Sequence, residues 1–119
     1  MTEQDTLRDI QLAATRLGHR LWRNNVGVGW VGKLVRREIS GTVVLANARP
    51  LHAGLMPGSS DLIGLTSAGR FLSIEVKSDR GRLTDEQRAW IAMVRQFGGL
   101  AGEARSIEDF EAIINGDIS

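Results

Sequence analysis

The chain has 119 residues, of which 42% are hydrophobic and 24% charged, so it is predicted to form one globular domain spanning residues 1–119. It contains no cysteine, which excludes disulfides, thiolate metal sites and a cysteine nucleophile. The net charge of +1 is unevenly divided, because residues 1–100 hold 14 basic against 9 acidic side chains and residues 101–119 hold 1 against 5. Thirteen of the 15 basic residues are arginine, which is compatible with nucleic acid binding or with a solvated surface.

The sequence has no apolar segment of the length that a membrane span requires. Its N-terminus, "MTEQDTLRDIQ", lacks the apolar stretch of a signal peptide, and no apolar run approaches ~18 residues. We therefore expect an intracellular, cytoplasmic protein that has no membrane partner.

The first half of the chain predicts one helix followed by strands. Apolar residues recur at helical spacing after an N-cap at Thr2 until Gly18, which predicts a first helix over residues 3–17. The stretch "HRLWRNNVG" predicts a strand that ends in a turn. Two β-branched runs, residues 30–37 and 42–47, then predict a hairpin. The segment "RPLHAGLMPGSS" contains both prolines and predicts a loop.

The second half predicts a strand pair, a helix, a strand and a helix. "DLIGL" and "FLSIEV" are expected to be joined by a short turn in which Gly69 supplies a positive φ. Thr84 and Gln87 form a capping box for a helix that runs through Phe97. "LAGEAR" predicts a strand, and a helix capped by Ser106 follows over about residues 107–115. This order predicts an α/β or mixed α+β sandwich, with helices packed on a central sheet.

The turn between these two strands determines which charged residues face each other. With a three-residue loop, Thr66 faces Arg70, and counting back along both strands places Asp61 opposite Glu75. The Cβ atoms of such antiparallel pairs lie roughly 4.5 to 5.5 Å apart. Lys77 lies two residues beyond Glu75 and projects from the same face. A loop one residue longer or shorter would instead place Asp61 opposite a neighbour of Glu75.

Two carboxylates at this distance repel each other unless a cation lies nearby. Carboxylates together with a backbone carbonyl and water are the ligands that Mg²⁺ and Mn²⁺ prefer. Alternatively, Lys77 bridges one carboxylate while the other points to solvent. The spacing alone leaves both readings open.

The motif formed by these residues resembles that of a known nuclease family. Asp61, followed after 13 residues by Glu75-Val76-Lys77, resembles the D…ExK signature of the PD-(D/E)xK nuclease superfamily. "PGSSDLIG…GRFLSIEVKSDRGRLTDEQRAWI…FGG", with "WRNNVG" upstream, is more narrowly similar to the VRR-NUC domain family. The proline that is usual before the aspartate is replaced by Ser60. That residue shapes the turn and not the metal shell, so the replacement weakens the match only slightly.

The resemblance implies both a fold and a set of roles. The expected fold is α/β, a restriction-endonuclease-like core whose mixed central β-sheet is flanked by helices, with an inserted β-hairpin. In the family, the aspartate and glutamate hold a metal ion, which implies that Asp61, Glu75 and the backbone carbonyl of Val76 bind Mg²⁺ or Mn²⁺. Lys77 is implied to position or activate the attacking water and to stabilise developing charge on the phosphate.

Two further residues are candidates for the catalytic site. A further acid on the first helix commonly completes the site in this family, and Glu3 lies on the helical stripe that faces the sheet. Glu3 could equally serve only to complement the helix dipole. Gln87, at the third position of its helix, could touch the site, although its role in the capping box is already sufficient.

The basic residues nearest the motif are expected to bind DNA. Arg80 and Arg82, just beyond Lys77, are predicted to lie near the scissile phosphate. A second set of basic residues is predicted to contact more distant phosphates: Arg23, Lys33, Arg36 and Arg37. The alternative for the last three is that they lie on a solvated hairpin. The tryptophans are interpreted as core or edge packing residues and not as base-stacking platforms: Trp22, Trp30 and Trp90.

The leading hypothesis is a metal-dependent, structure-specific DNA endonuclease that cuts branched DNA such as four-way junctions or flaps. The alternatives are a non-catalytic DNA-binding module that retains the nuclease fold, and an accessory protein that serves a partner. Because resolving a four-way junction requires two nicks, we expect the active form to be a homodimer. Residues 30–47 are the expected contact, since this apolar hairpin is peripheral to the strands that carry the motif. The alternative is that the hairpin only packs within the monomer or reaches along DNA through its basic residues.

Overall fold

The structure is a computed structural model that describes residues 2–116, so residues 1 and 117–119 of the predicted domain lie outside the described part. Nine elements follow one another along this part of the chain: α1 (Glu3–Arg16), β1 (Arg20–Arg23), β2 (Gly27–Arg37), β3 (Val43–Ala53), β4 (Leu62–Leu65), β5 (Phe71–Val76), α2 (Asp85–Gln96), β6 (Leu100–Ala104) and α3 (Ile107–Ile114). The predicted order is confirmed. The predicted N-caps at Thr2, Thr84 and Ser106 are confirmed as well.

The strands form two separate sheets. The central sheet has the order β1-β4-β5-β6, in which β1, β4 and β5 are antiparallel neighbours and β6 runs parallel to β5. Strands β2 and β3 pair only with each other and form the predicted hairpin. The expected architecture, a mixed central sheet flanked by helices with an inserted hairpin, is therefore present.

The helices cover the central sheet from both sides. Helices α1 and α3 pack on one face, where the core includes Ile10, Phe110, Leu72 and Ile74, all of them without solvent exposure. Helix α2 packs on the other face through Ile91 and other residues against β6. Because β5 is covered on both faces, five of its six residues are buried. A charged residue on this strand is therefore removed from water.

The β4–β5 register is the one that a three-residue loop predicts. The Thr66 N–H donates to the Arg70 carbonyl at 2.9 Å, and Gly69 in the turn has a φ of 85°. Leu62 pairs with Ile74. Asp61 directly precedes Leu62 and Glu75 directly follows Ile74, so the two carboxylates meet at the end of the ladder, as predicted.

The hairpin is longer than the sequence analysis predicted. Strand β3 continues to Ala53, so the prediction of a loop from residue 49 onward is wrong for residues 49–53. Pro50 pairs with Trp30 inside this strand. A two-stranded hairpin has a free edge on each strand, and a proline whose missing N–H faces such an edge costs no ladder hydrogen bond.

Two of the three tryptophans lie outside the core. Trp22 is 55% exposed and Trp30 66% exposed, because β1 is an edge strand and the hairpin packs on little of the rest of the chain. Trp90 does pack: its indole is half-buried and its Nε1 donates to the Ser73 hydroxyl at 2.9 Å.

Candidate active site

The carboxylates of Asp61 and Glu75 meet at the end of the central sheet. The Val76 N–H donates to Asp61 Oδ2 at 2.9 Å, which fixes this carboxylate across the ladder. Glu75 is only 3% exposed. Its Oε1 accepts a hydrogen bond of 3.2 Å from Gln87 Nε2, and the Lys77 ammonium lies 4.0 Å from the same oxygen. The structure thus brings these five residues together in one site.

The second carboxyl oxygen of Glu75 is held differently from the first. Oε2 is buried and has no hydrogen-bond partner among residues 2–116. A buried charged oxygen without a partner is costly, so the carboxyl favours its protonated form. Burial raises the pKa of Glu75 to about 8, the adjacent Asp61 carboxylate adds to the rise, and the Lys77 ammonium offsets only part of it. A positive charge at this oxygen would favour the ionised form of the carboxyl.

A cavity of about 390 Å³ opens beside the carboxylate pair. Asp61, Glu75 and Gln87 line it, and the rest of its wall comes from the end of β1 and from the loop that precedes β4: Arg23, Asn24, Asn25, Val26, Gly58 and Ser59. Six of these nine lining residues are charged or carry a side-chain amide. Such a pocket suits a polar, charged ligand and not an apolar one.

Asn24 holds the loop that leads to Asp61, a role that the sequence analysis did not assign. Its buried side chain donates to the Ser59 hydroxyl and to the Ser60 carbonyl, each at 2.8 Å, and accepts from the Leu55 N–H at 3.0 Å. Its backbone N–H donates to the Asp61 carbonyl at 2.8 Å. The only signal in the sequence was the segment "WRNNVG", which gives no indication of contacts more than 30 residues away.

Gly58 allows the same loop to approach helix α2. Its φ is +89°, and a Cβ at this position would lie 2.8 Å from the backbone carbonyl of Glu86. Only glycine tolerates both the conformation and the contact. The glycine therefore brings the cavity wall against the helix turn that carries Gln87.

Glu3 does not join the carboxylate pair. Its Oε2 accepts a hydrogen bond of 3.0 Å from the Ser78 N–H, immediately after Lys77. Within residues 2–116, no three His, Cys, Asp or Glu side chains gather closely enough to bind one metal ion. Glu3 thus contacts the segment that carries Lys77, and the pair of Asp61 and Glu75 has no third acid.

The comparison with known protein families gives a match over most of the chain. The family model described as the VRR-NUC domain matches residues 8–108. The chain belongs to the VRR-NUC domain family. This membership assigns it a nuclease-type function in DNA processing. A comparison with curated proteins gives no significant match.

The predicted DNA-binding residues of this VRR-NUC domain lie in three places. Arg80 and Arg82 are exposed on the loop between β5 and α2, and Arg23 lies at the wall of the cavity. The remaining three are exposed on β2 of the hairpin, outside the cavity lining: Lys33, Arg36 and Arg37. Arg36 forms an ion pair with Glu38 at 3.2 Å. Arg80 and Arg82 follow Lys77 within five residues and Arg23 lines the cavity beside the carboxylates, whereas the hairpin forms a sheet of its own.

The residues of the VRR-NUC domain site fit a hard divalent cation. Two carboxylates are adjacent, and one buried carboxylate oxygen has no partner in the described chain. Oxygen ligands of this kind suit Mg²⁺ and Mn²⁺ better than softer metals.

None of the helices in residues 2–116 is long and apolar enough to cross a membrane.

Proposed function

We propose that this VRR-NUC domain is a metal-dependent endonuclease that hydrolyses phosphodiester bonds in branched DNA, such as four-way junctions or flaps. The observation that carries the proposal is the buried, unpartnered Oε2 oxygen of Glu75, in a carboxyl group that lies beside Asp61 and whose other oxygen is 4.0 Å from the Lys77 ammonium. A carboxylate pair that is costly without a cation and has a lysine beside it suits phosphodiester hydrolysis better than a purely structural role.

Mg²⁺ or Mn²⁺ would be held by the carboxylates of Asp61 and Glu75 and by the backbone carbonyl of Val76. When bound, the ion supplies an acidified water and compensates negative charge on the phosphate. Gln87 holds one Glu75 oxygen through its side-chain amide and leaves the other free for the ligand. The Val76 N–H holds Asp61 in the same way. Both carboxylates are thereby oriented before the ligand arrives.

Lys77 supplies the positive charge that belongs to the protein itself. Its side chain is only 15% exposed, which reduces the screening of its charge by water. The ammonium orients the attacking water and stabilises the negative charge that develops on the phosphate oxygens. Gln87 has no titratable proton, so its contribution is orientation.

DNA would be held by arginines near the site. Arg80 and Arg82 extend from the loop after Lys77, and Arg23 lines the cavity. Planar guanidinium groups make paired hydrogen bonds to phosphate oxygens, which favours arginine for this task. Lys33, Arg36 and Arg37 on the hairpin would contact a second arm of a branched substrate.

A homodimer would provide the two cuts that a four-way junction requires. Each chain offers one carboxylate pair, and two-fold symmetry relates two such sites in a dimer. The hairpin supports this arrangement because it packs on little else and exposes large apolar side chains, among them Trp30, Val28, Leu34 and Val35. Exposed apolar surface of this kind marks an interaction site, and a second copy of the hairpin is the partner that we propose.

Cleavage of a set of labelled DNAs tests the proposed function. The set contains a four-way junction, a flap, a splayed arm and plain duplex, each incubated with Mg²⁺, with Mn²⁺ and with chelator. We expect cuts in the branched DNAs only when metal is present, and none from the Asp61→Asn variant. The exposed helix residue Glu111 provides the matched control, since Glu111→Gln should cut like the unmodified protein.

Two outcomes would contradict the proposal. Binding of branched DNA without cleavage under any metal condition would show that the domain is a DNA-binding module that retains the nuclease fold. Cleavage of plain duplex at the same rate as branched DNA would refute the proposed substrate class. Light scattering that gives a mass near 13.0 kDa at micromolar concentration, together with full activity, would refute the dimer.

A further inference from the structure

The loop that follows Lys77 is held by one arginine from a different strand. Residues 77–84 connect β5 to α2 without helix or strand structure. Arg105, directly after β6, donates from Nη1 to the Ser78 carbonyl and from Nη2 to the Gly81 carbonyl, the latter at 2.7 Å. Its guanidinium also pairs with Glu103 at 3.2 Å. One side chain thus bridges two backbone positions of this loop.

The parallel pairing of β5 and β6 places Arg105 at this position. Val76 pairs with Ala104 at the end of the ladder, and the Lys77 N–H donates to the Ala104 carbonyl at 3.2 Å. Arg105 directly follows Ala104, the last residue of β6, so it lies beside the start of the loop. The guanidinium fork is suited to bridge two carbonyls, which a lysine ammonium with its rotating donors does less well.

The other side of the loop is held by the first helix. The Ser78 N–H donates to Glu3 at 3.0 Å, and the Gly81 N–H closes a turn onto the Ser78 carbonyl at 3.1 Å. The backbone around Ser78 therefore has partners from α1, from its own turn and from Arg105. Within this anchored segment lie Arg80 and Arg82, whose side chains are exposed.

We propose that Arg105 is a positioning residue for the nuclease site. By fixing residues 78–81 it keeps Lys77 beside Glu75 and holds Arg80 and Arg82 where they can receive phosphate groups of DNA. This inference rests on the proposed function for its effect on catalysis. Its structural half, that Arg105 immobilises the loop, does not require any activity.

Limited proteolysis measures that structural half directly. Trypsin cuts after arginine, so Arg80 and Arg82 are cleavage sites inside the loop. In chelator and without DNA, Arg105→Gln is expected to speed cleavage after these two residues at least about tenfold, as followed by fragment masses. Arg105→Lys should give an intermediate rate. Arg95→Gln is the matched control, because Arg95 donates to the Ala101 carbonyl and makes no hydrogen bond to the loop within residues 2–116.

The pattern of cleavage decides between a local and a global effect. A selective rise at Arg80 and Arg82, with unchanged rates at sites such as Arg16, supports the proposal. An equal rise at every site would show that Arg105 stabilises the whole fold and would refute loop positioning. An unchanged rate in the loop would refute it as well.

Steady-state cleavage of branched DNA tests the catalytic half. Arg105→Gln should lower kcat about tenfold and raise KM, with partial recovery in Arg105→Lys and no change in Arg95→Gln. Normal kinetics in Arg105→Gln, despite a loosened loop, would overturn the assigned role of Arg105. If the unmodified protein cuts no DNA, the proposed function fails, while the proteolysis result still decides whether Arg105 holds the loop.

Discussion

The pH dependence of stability in metal-free protein tests the buried carboxylate pair. In the folded chain the pKa of Glu75 is raised to about 8, whereas in the unfolded chain it has its ordinary value of 4.5. Between these values the folded state binds more protons than the unfolded state, so the free energy of unfolding falls as pH rises. The stabilising effect of the protonated carboxyl is complete below pH 4.5 and is lost as the pH rises through 8.

The size of the effect follows from the two pKa values. Each pH unit between them corresponds to about 1.4 kcal/mol, so the loss between pH 4.5 and 8 is at most about 5 kcal/mol. That is a large part of the total stability of a small domain, which is about 5 to 15 kcal/mol. For a chain of this size we expect the melting temperature in chelator to fall by up to ~20 °C.

Glu75→Gln isolates the contribution of this residue from all other titrations. The amide cannot ionise, so the variant keeps this side chain neutral at every pH. Urea unfolding in chelator at pH values from 5 to 9 measures the free energy of unfolding of each protein. This free energy should fall with rising pH for the unmodified protein and should be nearly independent of pH for the variant. Glu111→Gln, exposed on α3, should follow the unmodified curve. Parallel curves for Glu75→Gln and the unmodified protein would refute the reasoning.

Three further variants test other parts of the site. Lys77→Ala leaves both carboxylates in place, so Mn²⁺ should still bind while kcat falls by orders of magnitude; near-normal turnover would remove Lys77 from the mechanism. The double variant Arg80→Gln, Arg82→Gln should weaken DNA binding, and the slope of log affinity against log salt concentration should fall by the amount expected for about two lost phosphate contacts. An unchanged slope would contradict phosphate binding by these two arginines. Asn24→Ala leaves the buried Ser60 carbonyl without its side-chain donor and should destabilise the protein by about 1 to 3 kcal/mol, as measured in urea; a loss below about 0.5 kcal/mol would refute its role as an anchor.

The carboxylate pair could be predicted from sequence because it depends on local geometry. Asp61 and Glu75 flank one hairpin, and the length of its turn determines the register over only a few residues. Capping residues and the glycine turn depend on contacts within four residues, which the sequence shows directly. The family motif then assigns chemical roles to positions that the register already places together.

The anchors around the pair could not be predicted, because they join residues far apart in the chain. Asn24 contacts Ser60 across 36 residues, and Arg105 contacts Ser78 across 27. No periodicity or spacing records such a contact. The exposure of Trp22 could not be predicted for a related reason, since strand order determines that β1 lies at the sheet edge.

Binding of Mn²⁺ in the absence of DNA tests the central claim, that Asp61 and Glu75 form the metal site, most directly. Titration calorimetry at several pH values should show one Mn²⁺ per chain, with proton release from Glu75 and an affinity that rises up to about tenfold per pH unit until pH 8. Glu75→Gln should abolish both the binding and the proton release, and Glu111→Gln should leave both unchanged. Unaltered Mn²⁺ binding by Glu75→Gln, or no binding by the unmodified protein, would contradict the account.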